Sequence, residues 1–77
     1  MEEKVNWQLH QFEVRGTIDA RSDGDAENEF STKFTSNPIH ESLLNCGWTL
    51  TTIEAKYTGT ILERQGYHSY DVTLIYI

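Results

Sequence analysis

Residues 68–77 read HSYDVTLIYI, and this stretch dictates the kind of sheet that the sequence predicts. Alternate residues of a strand point to opposite faces of its sheet. One face would carry Tyr70, Val72, Leu74 and Tyr76, and the other would carry Thr73, Ile75 and Ile77. A strand with apolar side chains on both faces is typical of the centre of a sheet, or of a sheet whose second face is covered. Residues 68–77 are therefore expected either to lie in the centre of the sheet or to have their second face covered, and the order of the strands stays open.

Two upstream segments also alternate between apolar and polar residues, which predicts strands. Within residues 5–20 the apolar residues change parity, from odd-numbered to even-numbered positions, at residues 10–11. Either a bulge or a bend between two shorter strands would return both apolar sets to one face. Residues 48–61 change parity near residues 51–52 in the same way.

Glycines mark two predicted turns. Residues 22–25 read SDGD, and Asp-Gly between alternating segments is typical of a hairpin turn. Residues 63–67 read ERQGY, where Gly66 is expected at positive φ.

The segment after the first turn has two interpretations. Residues 27–35 would return as a strand with both phenylalanines on one face. However, Ala26, Phe30 and Phe34 are also spaced at i, i+4 and i+8, which is typical of a helix. The β-branched threonines favour the strand. The sequence leaves strand and helix open over residues 25–35.

A short helix is predicted over residues 38–46. Asn37 is a suitable N-cap, and Pro38 suits the first helical position. The apolar stripe of this helix consists of Ile39, Leu43 and Cys46. Gly47 would end the helix in the left-handed conformation. Cys46 is accordingly expected in the core.

The predicted order of elements is β-β-α-β-β, in one domain of residues 1–77. This order corresponds to an α+β fold, with a four-stranded, mainly antiparallel sheet and one short helix packed on one face. A domain near this size buries only about 60 % of its unfolded surface. A partner or oligomerisation would therefore help to stabilise it.

The charge balance excludes several functional classes. The chain has six Lys+Arg and twelve Asp+Glu, for a net charge of −6, and its cations are scattered singly. Direct nucleic-acid binding, which normally uses a basic patch, is therefore not expected. The apolar runs are too short to span a bilayer, and the first residues lack the pattern of a secretory signal. We expect a cytoplasmic protein, in the host cytoplasm if it is phage-encoded.

The sequence contains no recognisable catalytic or metal-binding motif. His10, His40 and His68 lie far apart in the chain, and the single cysteine excludes a multi-cysteine zinc site. A calcium loop starting at Asp19 would need acidic residues at positions that hold other residue types. We therefore expect no enzymatic activity, no metal and no cofactor.

Acidic residues are concentrated in one segment and are the candidate partner-binding residues. They are Asp19, Asp23, Asp25, Glu27 and Glu29. In an extended chain the last four would point the same way, about 6–7 Å apart, and form a ladder of carboxylates. Such a ladder would attract a basic partner and speed their association. The other interpretation is a solvated hairpin tip.

Aromatic residues exceed what one small core needs. The candidate interface aromatics are Trp7, Tyr57, Tyr70 and Tyr76. Such side chains are enriched in protein interfaces. Aromatic residues on a sheet can also stack bases, but RNA-binding sheets carry flanking cations that this sequence lacks.

Residues 41–53 resemble small uncharacterised bacterial and phage domains that have a short helix, then Leu-Asn-x-x-Gly-Trp-x-Leu, then two strands. The matching residues are Leu44, Asn45, Gly47, Trp48 and Leu50, with one residue fewer before the glycine. The resemblance implies an α+β sheet with a helix across it, and no activity. The chain is also similar, in size, acidity and architecture alone, to anti-CRISPR-type inhibitors encoded by phages.

These features predict a non-enzymatic protein-binding module that occludes or recruits a larger protein with a basic groove. Its sharpest form is a phage-encoded inhibitor of a host nucleic-acid enzyme. The alternative is a homo-oligomeric module, with or without a small ligand at the interface. It would pair through the face carrying Tyr70 and Tyr76, or through the uncharged strand of residues 72–77, which would be an aggregation hazard as an exposed edge.

Overall fold

The computed structural model describes residues 2–61 and 66–77. Its elements are β1 (Glu2–Asn6), β2 (Gln11–Ala20), α1 (Asp23–Thr35), α2 (Pro38–Asn45), β3 (Leu50–Ile61) and β4 (His68–Tyr76). The four strands form one antiparallel sheet in the order β1-β2-β4-β3. The predicted α+β class with a four-stranded antiparallel sheet is confirmed, although two helices, not one, pack on it.

β4 lies in the interior of the sheet, which is the first of the two alternatives that its apolar pattern left open. It pairs with β2 on one side and with β3 on the other. Its helix-facing side chains Tyr70, Val72, Leu74 and Tyr76 are all buried. The prediction that residues 72–77 offer an edge for self-association is wrong, because both sides of this strand are occupied by the chain itself. The edges of the sheet are β1 and β3.

The two changes of parity have different structural causes. Residues 7–10 form a turn that joins β1 to β2, so the bend between two shorter strands is the correct alternative there. The change near residues 51–52 is a bulge, where the register of β3 on β4 shifts between Leu50 and Thr52. Gly66 has the predicted positive φ, of 80°. Residues 63–65 of the predicted second turn lie outside the described residues.

The segment that starts at Asp23 is a helix, so the predicted hairpin turn is wrong, and the helix is the correct one of the two interpretations of residues 25–35. Ser22 is the N-cap, and its Oγ accepts a hydrogen bond from the backbone N–H of Asp25 at 3.1 Å. The SDGD sequence is therefore a helix start with an acidic first turn, which the helix dipole favours. Ala26, Phe30 and Phe34 form the buried stripe, while the threonines lie on exposed positions where β propensity decides little.

α2 has the predicted N-cap and the predicted glycine stop, but its apolar stripe is shorter than predicted. Gly47 has a φ of 92°, and the N–H groups of Gly47 and Trp48 donate to the carbonyls of Leu44 and Leu43. These two bonds define a Schellman end, which fixes the direction of the chain after the helix. Cys46 is exposed, contrary to the prediction. It occupies the C-cap, where the chain already departs from the helical path and its side chain leaves the stripe.

Both helices cover the same face of the sheet, and α1 approaches it closely at Gly16. An added Cβ at this glycine would overlap the Cε2 and Cζ atoms of Phe30. The other face of the sheet is left open and carries the exposed side chains of β2, such as Arg15 and Thr17. Neither helix is long and apolar enough to cross a membrane.

Candidate functional site

The acidic candidates do not form the predicted ladder. Asp23, Asp25, Glu27 and Glu29 lie on α1, where residues two apart point about 200° apart around the axis. Asp19 lies on β2 and points to the open face of the sheet. Asp23 and Asp25 are explained by the helix start, since carboxylates stabilise the positive end of the helix dipole. Their role in partner binding stays a prediction.

The aromatic candidates separate into two buried and two exposed residues. Tyr76 has no exposed surface and Tyr70 is 8 % exposed, so both belong to the core and their predicted place at an interface is wrong. They face α1 and α2, which the sequence had not predicted to cover that much of the sheet. Trp7 is 75 % exposed and Tyr57 is 50 % exposed. These two lie at opposite ends of the sheet.

Several exposed apolar side chains lie at the end of the sheet that holds Trp7. We call this end of the sheet the end patch; it comprises the exposed Trp7, Leu9, Leu44 and Ile77, of which Ile77 lies on the open-face side, together with the half-buried Trp48. The register places these residues at the same end of the sheet: β1 and β2 close at Asn6 opposite Gln11, beside the pairing of Phe12 with Tyr76. On the other side of β4, Ile77 and Thr49 exchange two backbone hydrogen bonds of 2.8 and 2.9 Å. Trp48 follows directly from the end of α2.

Trp48 packs against the β1–β2 turn and the start of β2. Its ring stacks on His10, with ring centroids 4.9 Å apart, and contacts Phe12 at 5.9 Å and Trp7 at 6.3 Å. His10 has a positive φ of 52°, which turns the chain back towards β2. The Schellman end of α2 fixes the backbone of Trp48, so the helix corner and the β1–β2 turn support each other.

The end patch is exposed despite this support. Leu9 is 63 % exposed, Ile77 is 49 % exposed and Leu44 is 46 % exposed. Sequence reasoning missed these three residues because it assigned residues 5–20 to strand and residue 44 to the helix corner. The sequence Trp-Gln-Leu-His contains a signal for Leu9. Turns lie on the surface, so an apolar side chain within a turn is a candidate for exposure.

The open face of the sheet forms a shallow cavity of about 860 Å³ that is charged with both signs. Its lining includes Glu2, Arg15, Thr17, Glu54, Lys56 and Asp71. Thr17 Oγ1 donates to Asp71 Oδ1 at 3.3 Å, and Arg15 forms an ion pair of 3.4 Å with Glu13. Exposed ion pairs of this kind contribute little to stability. This face is a solvated polar surface with internal charge compensation.

One polar pair lies inside the core. His40 Nδ1 and Tyr76 Oη are 2.7 Å apart, which ties α2 to β4. Burial raises the pKa of Tyr76 to about 12, so its hydroxyl stays protonated at neutral pH. Because Tyr76 has no exposed surface and His40 is half-buried, we interpret this hydrogen bond as a contact that holds the helix on the sheet.

Neither a metal-binding cluster nor a similarity to known proteins adds to this description. Within residues 2–61 and 66–77, no three His, Cys, Asp or Glu side chains lie close enough together to hold a metal ion. Comparison with protein-family models, with curated proteins and with solved structures finds no match. The resemblance carried by residues 41–53 therefore stays a prediction.

Proposed function

We propose that this protein is a non-enzymatic binding module that attaches to a larger protein through the end patch. The observation that carries the proposal is the exposure of Trp7, three quarters of whose surface faces solvent on a turn. A tryptophan at such a position adds little to the core of its own domain. Tryptophan is also among the residues that contribute most when an interface is formed.

The construction of the end patch supports tight attachment. Trp7 contacts Trp48, which is itself held by His10 and by the end of α2. A side chain that is already held loses less conformational entropy when it enters a pocket of a partner. The neighbouring Leu9 extends the apolar surface along the same turn. An apolar pocket with a rim that accepts this turn is the shape that we propose for the partner.

The charge of the chain suggests the chemistry around that pocket. A net charge of −6 favours a partner surface that is positively charged. In its finer form, the proposal is that the partner is a nucleic-acid enzyme whose basic groove the domain occludes, as a phage-encoded inhibitor would. The acidic α1 begins at the opposite end of the sheet from Trp7. Such a partner would therefore contact the domain along its length of 41 Å.

An affinity capture with a matched control tests the end patch. The wild-type chain, the Trp7→Ala/Leu9→Ala variant and the Tyr57→Ala variant are immobilised and exposed to one cell extract, and the retained proteins are quantified. Tyr57→Ala removes an exposed aromatic side chain from the far end of the sheet. We expect a protein that wild type and Tyr57→Ala retain and that the double variant loses by about a hundredfold, because two central interface residues are truncated.

Two further measurements complete the test. The double variant should melt within a few degrees of wild type, because both truncated side chains are mostly exposed. The bound protein should be released as the salt concentration rises, since salt screens charge attraction. Retention of the same proteins by all three chains would contradict the proposal.

A further inference from the structure

β3 is the long free edge of the sheet. Among the described strands it pairs with β4 alone, and it runs for twelve residues. The other edge, β1, has five residues and begins with the charged sequence Glu2-Glu3-Lys4. Short, charged edges discourage further pairing, whereas long edges without proline invite it. β3 contains no proline, so its outer side is open to another strand.

The hydrogen-bond pattern identifies the groups on that outer side. Thr49 and Ile77 exchange two backbone hydrogen bonds, so the odd-numbered residues of β4 direct their N–H and C=O groups to β3. After the bulge, Glu54 pairs with Thr73 and Lys56 pairs with Asp71. The peptide groups of Glu54 and Lys56 are thereby used within the sheet. Those of Ile53, Ala55 and Tyr57 point outwards.

The regular part of this edge is short and has a clear centre. The register shifts at Leu50/Thr52 and at Tyr57/Ile61 bound it on both sides. Ala55 is the middle one of the three residues that point outwards between these irregularities. Two copies of β3 related by a twofold axis through Ala55 could therefore exchange backbone hydrogen bonds at three successive positions.

Side-chain charge selects this register over its neighbours. A twofold axis at Glu54 would place two glutamates opposite each other, and an axis at Lys56 would place two lysines opposite each other. Like charges at opposite positions destabilise a sheet. An axis at Ala55 places Glu54 opposite Lys56 of the partner subunit, and this pairing occurs twice by symmetry. Both side chains are exposed in the single chain and free to meet a partner.

In the same register, the helix-facing side chains of the two β3 strands also form favourable pairs. Ile53 would lie opposite Tyr57 of the partner subunit, again twice. Tyr57 is 50 % exposed and Ile53 is half-buried in the single chain. An aromatic residue opposite a β-branched one is a favourable cross-strand pair. The same axis that pairs the charges thus covers the exposed surface of Tyr57.

We propose that β3 pairs antiparallel with β3 of a second copy of this chain, about a twofold axis at Ala55. The product is a dimer with one continuous eight-stranded sheet and all four helices on one face. The end patch lies away from this edge, so the dimer would present two copies of it. The interface is a single strand pair, and we expect it to be weak and concentration-dependent.

Sedimentation equilibrium over roughly a hundredfold range of protein concentration tests the dimer. Wild type should shift from monomer to dimer mass within that range. Glu54→Lys places lysine opposite lysine at both ends of the pairing and should raise the dissociation constant about tenfold or more. This variant also changes the net charge from −6 to −4, which by itself favours association of two acidic chains. Weaker association would therefore report the local register.

Three further variants complete the test. Glu54→Lys/Lys56→Glu restores opposite charges at the original net charge and should recover much of the dimer. Glu29→Lys makes the same change of charge on exposed α1 and should not weaken it. Ala55→Pro removes an outward N–H, which edge strands tolerate, and should abolish the dimer. Circular dichroism melts confirm that each variant is folded.

Several results would overturn the proposal. A wild-type monomer mass throughout the range excludes the dimer. A dimer that survives both Glu54→Lys and Ala55→Pro, in variants that melt like wild type, lies at another surface. A dimer that Glu29→Lys weakens as much as Glu54→Lys does would reflect net charge and not the β3 register.

Discussion

Gly16 shows how a single residue sets the distance between α1 and the sheet. It lies in the middle of β2, directly under the ring of Phe30. Its conformation is not what requires glycine here, since Gly16 is not among the described residues with positive φ, which are His10, Gly47, Gly59 and Gly66. The requirement is space, because any Cβ would occupy the position of the ring. Phe30 is 8 % exposed and its ring is held by the core, so it cannot simply swing away.

Gly16→Ala should therefore destabilise the fold, although alanine is normally the better residue in a strand. The expected loss is about 1–3 kcal/mol, the usual range for inserting a methyl group into a packed core. Chemical denaturation measures it. The matched background is Phe30→Leu, which shortens the side chain above Gly16. In that background Gly16→Ala should cost at least about 1 kcal/mol less, and equal costs in the two backgrounds would contradict the clash.

The elements of the fold were predictable where one periodicity dominated. β4, α2 and the bulge of β3 follow from alternation, from a capped apolar stripe and from a change of parity. Residues 23–35 were not predictable in this way, because Phe30 and Phe34 fit both periods and the threonines favour strand. The helix begins at the N-cap Ser22, in a sequence that is also typical of a hairpin turn. Ala26 completes the stripe only once the helix has begun.

The end patch was less accessible to sequence reasoning than the fold. Trp7 could be selected as an interface aromatic, but Leu9, Leu44 and Ile77 each looked like part of a regular element. Conversely, Tyr70 and Tyr76 were expected at an interface because α1 had not been assigned as a helix. Exposure depends on which elements cover which face, and local sequence patterns do not contain that information. The pairing order of the strands and the position of α1 supply it.

Two glycines near helix ends predict opposite effects of the same substitution. Gly47 has a φ of 92°, and an added Cβ there would meet no heavy atom of the described residues within 4 Å. Gly47→Ala should therefore cost about 1 kcal/mol through backbone strain alone. Gly24 lies in the first turn of α1 with ordinary helical geometry, so Gly24→Ala should be neutral or stabilising by up to about 1 kcal/mol.

Thermal melts of the two alanine variants measure this difference. The result bears on the end patch as well, because Gly47 orients the backbone of Trp48. A loss of stability in Gly24→Ala equal to that in Gly47→Ala would mean that the Schellman geometry is not the cause.

The whole molecule is organised around Tyr76. Every element except β1 supplies it with a neighbour: Phe12 from β2, Phe34 from α1, His40 from α2 and Leu50 as its strand partner in β3. A charge on its oxygen would be placed where all of these elements meet. Alkaline pH should therefore act on the stability of the entire fold through this one hydroxyl.

The sign of this effect follows from the direction of the pKa shift. Burial raises the pKa of Tyr76 from 10.0 to about 12. Below pH 10 the hydroxyl is protonated in both the folded and the unfolded chain, and its contribution to stability is fully present. Between pH 10 and 12 only the unfolded chain releases the proton. The free energy of unfolding should fall by about 2 kcal/mol over that interval and by about 3 kcal/mol in total above it, since each pKa unit corresponds to about 1.4 kcal/mol.

Tyr76→Phe separates this effect from the titration of the other tyrosines and the lysines. Below pH 10 the variant should be less stable by about 1 kcal/mol, because His40 loses its hydrogen-bond partner. Above pH 10 phenylalanine has no proton to release, so the stabilities of the two chains should converge and then cross. Urea denaturation of both chains at several pH values from 8 to 12 provides the comparison. Curves that remain parallel over this range would show that ionisation of Tyr76 does not limit the stability of the core.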